Sequence, residues 1–163
     1  MDHLYSPWRY QYLRSAQSQP PGCVFCSIAE SEADESELVV YRGERNYVVL
    51  NRFPYTNGHS MVIPYEHVSQ LEDAAVETLE EMMRLTKRLE TCLRKLYQPD
   101  GINIGMNIGR AAGAGVAGHI HMHALPRWFA DANFATVIAE TRILPEELDI
   151  TWRRLRDALT ETE

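Results

Sequence analysis

Cysteine is scarce in this chain: there are three, Cys23, Cys26 and Cys92. An odd number with no secretion signal ahead of it argues against a disulfide scaffold. Long apolar runs are missing too. None reaches the length of a membrane span, and the N-terminus lacks a signal-length apolar stretch. The expectation is a cytoplasmic protein with no membrane partner. Positive charge is in deficit, with 16 Lys and Arg against 23 Asp and Glu, a formal net charge of -7. That excludes a binder of nucleic-acid backbone, which needs a basic footprint. A small anionic ligand stays open, because a few local donors outweigh the global sign. No GK[ST] accompanies the glycines, so Walker-type chemistry is unsupported. Internal repeats are absent. The 163 residues suffice for one domain with a real core.

What is present reads as α+β. Residues 1–22 form an irregular arm, with Trp8, Tyr10 and Tyr12 among arginines and with Pro7, Pro20 and Pro21. So many aromatics favour docking over disorder. CVFCSIAE (23–30) opens a short helix or tight turn, and 31–36 reads as a loop. Strands are expected over 37–43 and 46–52, joined as a hairpin through Gly43, Glu44 and Arg45. A third, 59–67, is ended near Pro64. Leucines and methionines at helical spacing predict a long helix over 69–97 with Ser69 as its cap. Its acidic first half and basic second half suit the helix dipole. Buried Cys92 belongs to its core face. GINIGMNIG (101–109) is a glycine-rich fourth strand, and 110–118 a flexible loop. Residues 134–141 are a short apolar segment, strand or helix turn, and 146–159 a terminal helix. Short connections predict a mostly antiparallel sheet.

Chemistry concentrates in HIHMHALPRW, 119–128. Three of the six histidines, His119, His121 and His123, alternate there with Ile120, Met122 and Ala124. In a strand that alternation puts the imidazoles on one face. Such a row is a metal site, a nucleophilic or general-base site, or packing; three on one face are costly to bury without partners. A neutral imidazole is a competent nucleophile toward phosphorus or carbonyl carbon. The glycine loop before it, with Gly113 and Gly115, offers backbone N–H groups to phosphate oxygens, or is simply flexible. Arg110 and Arg127 are the nearest candidate cations, and either is equally a solvated surface charge. Cys23 and Cys26 form a CxxC, which reads as metal-binding, redox-active or two ordinary thiols. A zinc site needs two further ligands, and histidine is the obvious supply.

GHIHMHALPRW resembles the signature of the histidine triad family of nucleotide-binding proteins, and the likeness runs from CVFC to about residue 134. NIGMNIGRAAGAGVAG with DANF, and LYSPWRYQYL at the start, are similar to the branch of dinucleoside polyphosphate hydrolases and phosphorylases. The resemblance implies a single histidine triad domain over 1–163, with the arm 1–22 and a C-terminal helical extension 142–163. It implies a sheet that pairs across a homodimer. By the same resemblance His121 attacks the α-phosphate, His119 orients the site, His123 positions the phosphate and His59 is a further active-site histidine. Asn51 is placed at the ribose and Asn107 near the leaving phosphates. Asn107 is shorter than the glutamine often found there. Gly113, Gly115 and Arg127 complete the expected nucleotide site. Zinc-binding members use a CxxC, the histidine of a PxxH element and the first triad histidine, here Cys23, Cys26, His67 and His119, as a structural Zn site.

The implied function is nucleotidyl transfer on a dinucleoside polyphosphate: a diadenosine tetraphosphate phosphorylase with an AMP–histidine intermediate and phosphate as acceptor. Alternatives are a hydrolase of dinucleoside polyphosphates or adenosine phosphoramidates, and an adenine-nucleotide-binding regulatory protein with little turnover. A purely structural dimer with a zinc clip is the remaining reading.

Overall fold

A five-stranded antiparallel sheet ordered β1-β2-β3-β5-β4 organises the computed structural model. The structure describes residues 22–129, 131 and 144–161. Apart from Gly22, the expected arm lies outside these residues, as do the segment 134–141 and the start of the C-terminal extension. The elements are α1 (Val24–Glu30), α2 (Asp34–Glu37), β1 (Val39–Arg42), β2 (Asn46–Leu50), β3 (Ser60–Pro64), α3 (Val76–Tyr97), β4 (Gly101–Gly105), β5 (Met122–Arg127) and α4 (Leu148–Thr160).

The β1–β2 hairpin forms where expected, through 43–45. A buried carboxylate on α3 fixes its turn. Glu81 accepts from the Glu44 and Arg45 amides and from Asn46 Nδ2, each at 2.8 Å. A Cβ at Gly43 would lie 2.8 Å from Glu81 Oε1, so glycine is required there. Side chains alternate across β2: Asn46 turns toward α3, bonding Thr78 O, while the Tyr47 hydroxyl donates to Phe25 O of α1. Every residue of β2 and β3 is buried, because both sheet faces are covered. In the register β2–β3–β5, Val49 opposes Met61 and Met61 opposes His123. His123 therefore sits on the α1 face of the sheet.

The long helix corrects the expected boundary. It begins at Val76, not 69, and its N-cap is Ala75 rather than Ser69. A separate 3-10 turn, Leu71–Asp73, precedes it, and extended backbone at Ala74 and Ala75 turns the chain between them. Apolar spacing cannot tell one turn from the helix that follows. The single turn α2 takes the end of the loop expected over 31–36 and Glu37 of the strand expected over 37–43, and is closed by Leu38 in left-handed conformation (φ 63°), so that β1 starts at Val39. Burial of the Leu38 side chain, 8% exposed, offsets that strain. The fourth strand ends at Gly105, not 109: Gly109 takes φ 81° and leads into a 3-10 turn, Arg110–Ala112.

Candidate active site and metal centre

Regular ladder pairing of the histidine segment starts only at Met122, later than expected. The Ile120 amide still donates to Val68 O at 2.8 Å, so the chain stays extended beside the β3 end. The imidazoles do line up. Phe25 of α1 sets its ring edge against both His119 (5.6 Å) and His121 (5.0 Å). His121 and His123 lie 4.8 Å apart.

Fixed backbone groups determine where each proton sits. Carbonyls only accept and amides only donate. His121 Nδ1–H donates to the His119 carbonyl at 2.8 Å, which leaves the lone pair on His121 Nε2. His119 Nε2–H donates to Pro64 O at 2.9 Å, which leaves the lone pair on His119 Nδ1. His59 Nδ1 accepts from the Tyr55 amide at 3.1 Å, so its proton is on Nε2, and that N–H donates to His123 Nδ1 at 3.0 Å. His123 is left with its proton on Nε2. Burial pushes all three triad imidazoles below the ordinary histidine value. His123 is brought down to about 4 by burial first and by His121 second. The row is neutral at pH 7.

His119 Nδ1 points at the cysteine pair, 3.3 Å from Cys23 Sγ and 3.7 Å from Cys26 Sγ. His67 Nδ1 lies 3.2 Å from Cys26 Sγ. The ligand atoms of Cys23, Cys26, His67 and His119 all fall within 4.8 Å of one another. A tetrahedral zinc ion with bonds of about 2.0–2.3 Å separates its ligands by about 3.3–3.8 Å. Two of the three contacts fall within that range and the third, His67 Nδ1 to Cys26 Sγ at 3.2 Å, lies just short of it, and the His119 tautomer offers the required lone pair. The donor set fits a four-coordinate zinc site with no open position.

Comparison with known proteins decides the family. The HIT domain model matches residues 32–130. An AP-4-A phosphorylase of Mycobacterium tuberculosis is 39% identical over 162 residues, 95% of this chain and 83% of that protein. The chain belongs to the HIT family. A Zn-bound histidine triad protein from Mycobacterium smegmatis superposes with TM-score 0.67 at 30% identity, covering 90% of this chain and 96% of that one. A histidine triad nucleotide-binding protein from Sulfolobus tokodaii gives TM-score 0.68 at 29% identity, over 85% and 93% of the two chains.

The HIT site gathers most of the residues singled out in the sequence. Asn51 lies against His59: its Oδ1 accepts from the Phe53 amide at 3.0 Å and its Nδ2 is 3.3 Å from His59 Nδ1. Asn107 is exposed, two residues past Gly105, which pairs with His123. Gly113 has φ 95° and closes the 3-10 turn, and Gly115 is exposed. Arg127 stands apart. It pairs bidentately with Asp131 (2.5 and 2.9 Å) and donates to Asn103 Oδ1 at 2.8 Å. That guanidinium clips the strand end, opposite Gly101 and away from the triad.

Three supports of the HIT site carry weak sequence signals. Phe25 walls His119 and His121, Tyr47 pins Phe25 O, and Arg42 binds the C-terminus of α1. Arg42 donates to the carbonyls of Ala29 (2.9 Å), Ile28 (3.2 Å) and Ser31 (2.6 Å) and pairs with Asp34. An arginine at the end of β1 and a tyrosine near the start of β2 read as ordinary strand composition. Only the three-dimensional position of α1 gives them a task.

Proposed function

We propose that this HIT protein transfers a nucleotidyl group from a dinucleoside polyphosphate to inorganic phosphate, as a diadenosine tetraphosphate phosphorylase. The observation that carries it is the tautomer of His121: Nδ1–H is committed to the His119 carbonyl, and Nε2 presents its lone pair among neutral imidazoles. His121 Nε2 attacks the α-phosphorus and the bridging P–O bond breaks. ATP leaves and AMP remains on the ring. The His119 carbonyl stabilises the positive charge that the ring then carries at Nδ1–H. His123 Nε2–H, set by His59, is the donor aimed at phosphoryl oxygen. Inorganic phosphate then attacks the same phosphorus, the P–N bond breaks, and ADP leaves with His121 restored. The acceptor is argued from likeness to the AP-4-A phosphorylase of Mycobacterium tuberculosis. Asn51, Asn107, Gly113 and Gly115 form the rest of the proposed nucleotide site.

In this reading zinc is held by Cys23, Cys26, His67 and His119, and its chemistry is structural. The same residue joins the two sites: the His119 ring serves the metal while its carbonyl orients His121. The reading also takes the chain as one domain with terminal extensions, acting in the cytoplasm as a homodimer. No helix among the described residues is long and apolar enough to cross a membrane. The test is His121→Ala. It abolishes turnover of diadenosine tetraphosphate while nucleotide binding persists; retained turnover would remove the mechanism.

A further inference from the structure

Two aromatic side chains on the loop that runs from Asn51 to His59 have no part in the proposed chemistry. Phe53 is 72% exposed and Tyr55 50% exposed, both on the loop between β2 and β3. Such exposure forgoes the stabilisation that burial gives, and the loop is pinned rather than loose. Its ends are closed by the Asn51 amide on His59 O (2.9 Å) and the His59 amide on Thr56 O (3.2 Å). Within it the Phe53 amide donates to Asn51 Oδ1 at 3.0 Å, Arg52 Nη2 to Ser36 O at 2.9 Å and Thr56 Oγ1 to Pro126 O at 2.8 Å. Pro54 stiffens the link between the two aromatics. The loop thus presents preformed aromatic surface to solvent, at little ordering cost to a ligand.

Its position gives that surface a use. The Tyr55 ring lies 4.8 Å from His59, whose Nε2–H reaches His123. The aromatics therefore begin one imidazole away from the row that faces the phosphates. A dinucleoside polyphosphate held at its α-phosphate extends the remaining phosphates outward and ends in a second base. A flat aromatic face near that path is what a base stacks on, and a bare polyphosphate gains nothing from it.

We infer that Phe53, with Tyr55 beside it, is the stacking platform for the distal base of the dinucleotide. This rests on the proposed reading of the site and names what selects dinucleotides over mononucleotides. Stacking is tolerant of base identity, so the distal base is selected as an aromatic ring and not by its edge.

The test compares diadenosine tetraphosphate with adenosine 5′-tetraphosphate, which lacks only the distal nucleoside. Binding is measured by calorimetry on the full-length, zinc-containing protein carrying His121→Asn. The dinucleotide binds about five- to tenfold tighter, beyond the statistical advantage of a symmetric ligand. Phe53→Ala removes that margin and Phe53→Trp keeps it. Phe129→Ala leaves it unchanged, since Phe129 is 90% exposed beyond the far end of β5. Equal affinities with Phe53 in place, or a margin untouched by Phe53→Ala, would overturn the platform. Wild-type turnover of the dinucleotide is scored separately. A missing margin with normal turnover removes only the platform. A margin that needs Phe53, without turnover, keeps the platform and removes the phosphorolysis. Failure of both ligands to bind overturns both.

Discussion

At the scale of the residue, four imidazoles differ in role because three backbone groups and one imidazole-to-imidazole hydrogen bond fix their protons. Period-two spacing made the row itself legible, since it needs no knowledge of the fold. The tautomers were not legible, because the carbonyl of Pro64 and the amide of Tyr55 are brought in from β3 and the loop before it. Neutrality of the row has a cost in acid. Folded His123 titrates at about 4 against an ordinary 6.5. Between those values the unfolded chain binds a proton that the folded chain does not. The His123 contribution is therefore complete above pH 6.5 and is lost as pH falls toward 4. The urea midpoint drops between about pH 7.5 and pH 5, and drops less in His123→Gln. Equal drops in the two proteins would show that His123 is not the group responsible.

At the scale of the element, α1 is a seven-residue helix too short to stand alone. Arg42 and Tyr47 hold it from the sheet, and the Cys23–Cys26 pair holds its first turn to His119 and His67. The CxxC spacing was legible and the family resemblance named His67 and His119 as its partners, whereas the hold of Arg42 and Tyr47 on α1 was not. The proposed zinc, held by Cys23, Cys26, His67 and His119, would stabilise what it joins. Purified, untagged protein carries near-stoichiometric zinc by elemental analysis, and its removal by a chelator lowers the melting temperature. Little zinc with both thiols unmodified, or a melting temperature indifferent to chelation, would give the cysteine pair another role. Glu81 teaches the same lesson as Arg42. In sequence it is one acid among the several that crowd the first half of a helix. In the fold, burial alone would raise its pKa, but Asn46 and the hairpin amides outweigh that and hold it below the ordinary carboxylate value. A patterned acidic run hides which carboxylate faces inward.

At the scale of the whole molecule, the two sheet edges are treated differently. Helix α4 packs beside β1, and Trp152 Nε1–H donates to Val39 O at 2.8 Å. At the other edge β4 pairs, among the described residues, only with β5, with Asn103–Gly105 exposed and Ile104 43% exposed. An open edge of this kind favours pairing with a second copy. The proposed homodimer uses β4, and sedimentation at micromolar concentration gives a dimer that Ile104→Lys weakens. A single monomeric species in the unsubstituted protein would end that proposal. The long helix and the terminal helix were readable from hydrophobic spacing, and the antiparallel sheet from the short connections between strands. The choice of edge was not, because strand order arises from contacts distant in sequence. The reaction itself is the sum of these parts, and one assay addresses it most directly. Diadenosine tetraphosphate is incubated with the enzyme, with and without inorganic phosphate, and the products are separated. ADP and ATP in equal amounts, formed only when phosphate is present, is the predicted result. AMP and ATP released at the same rate without phosphate would contradict it.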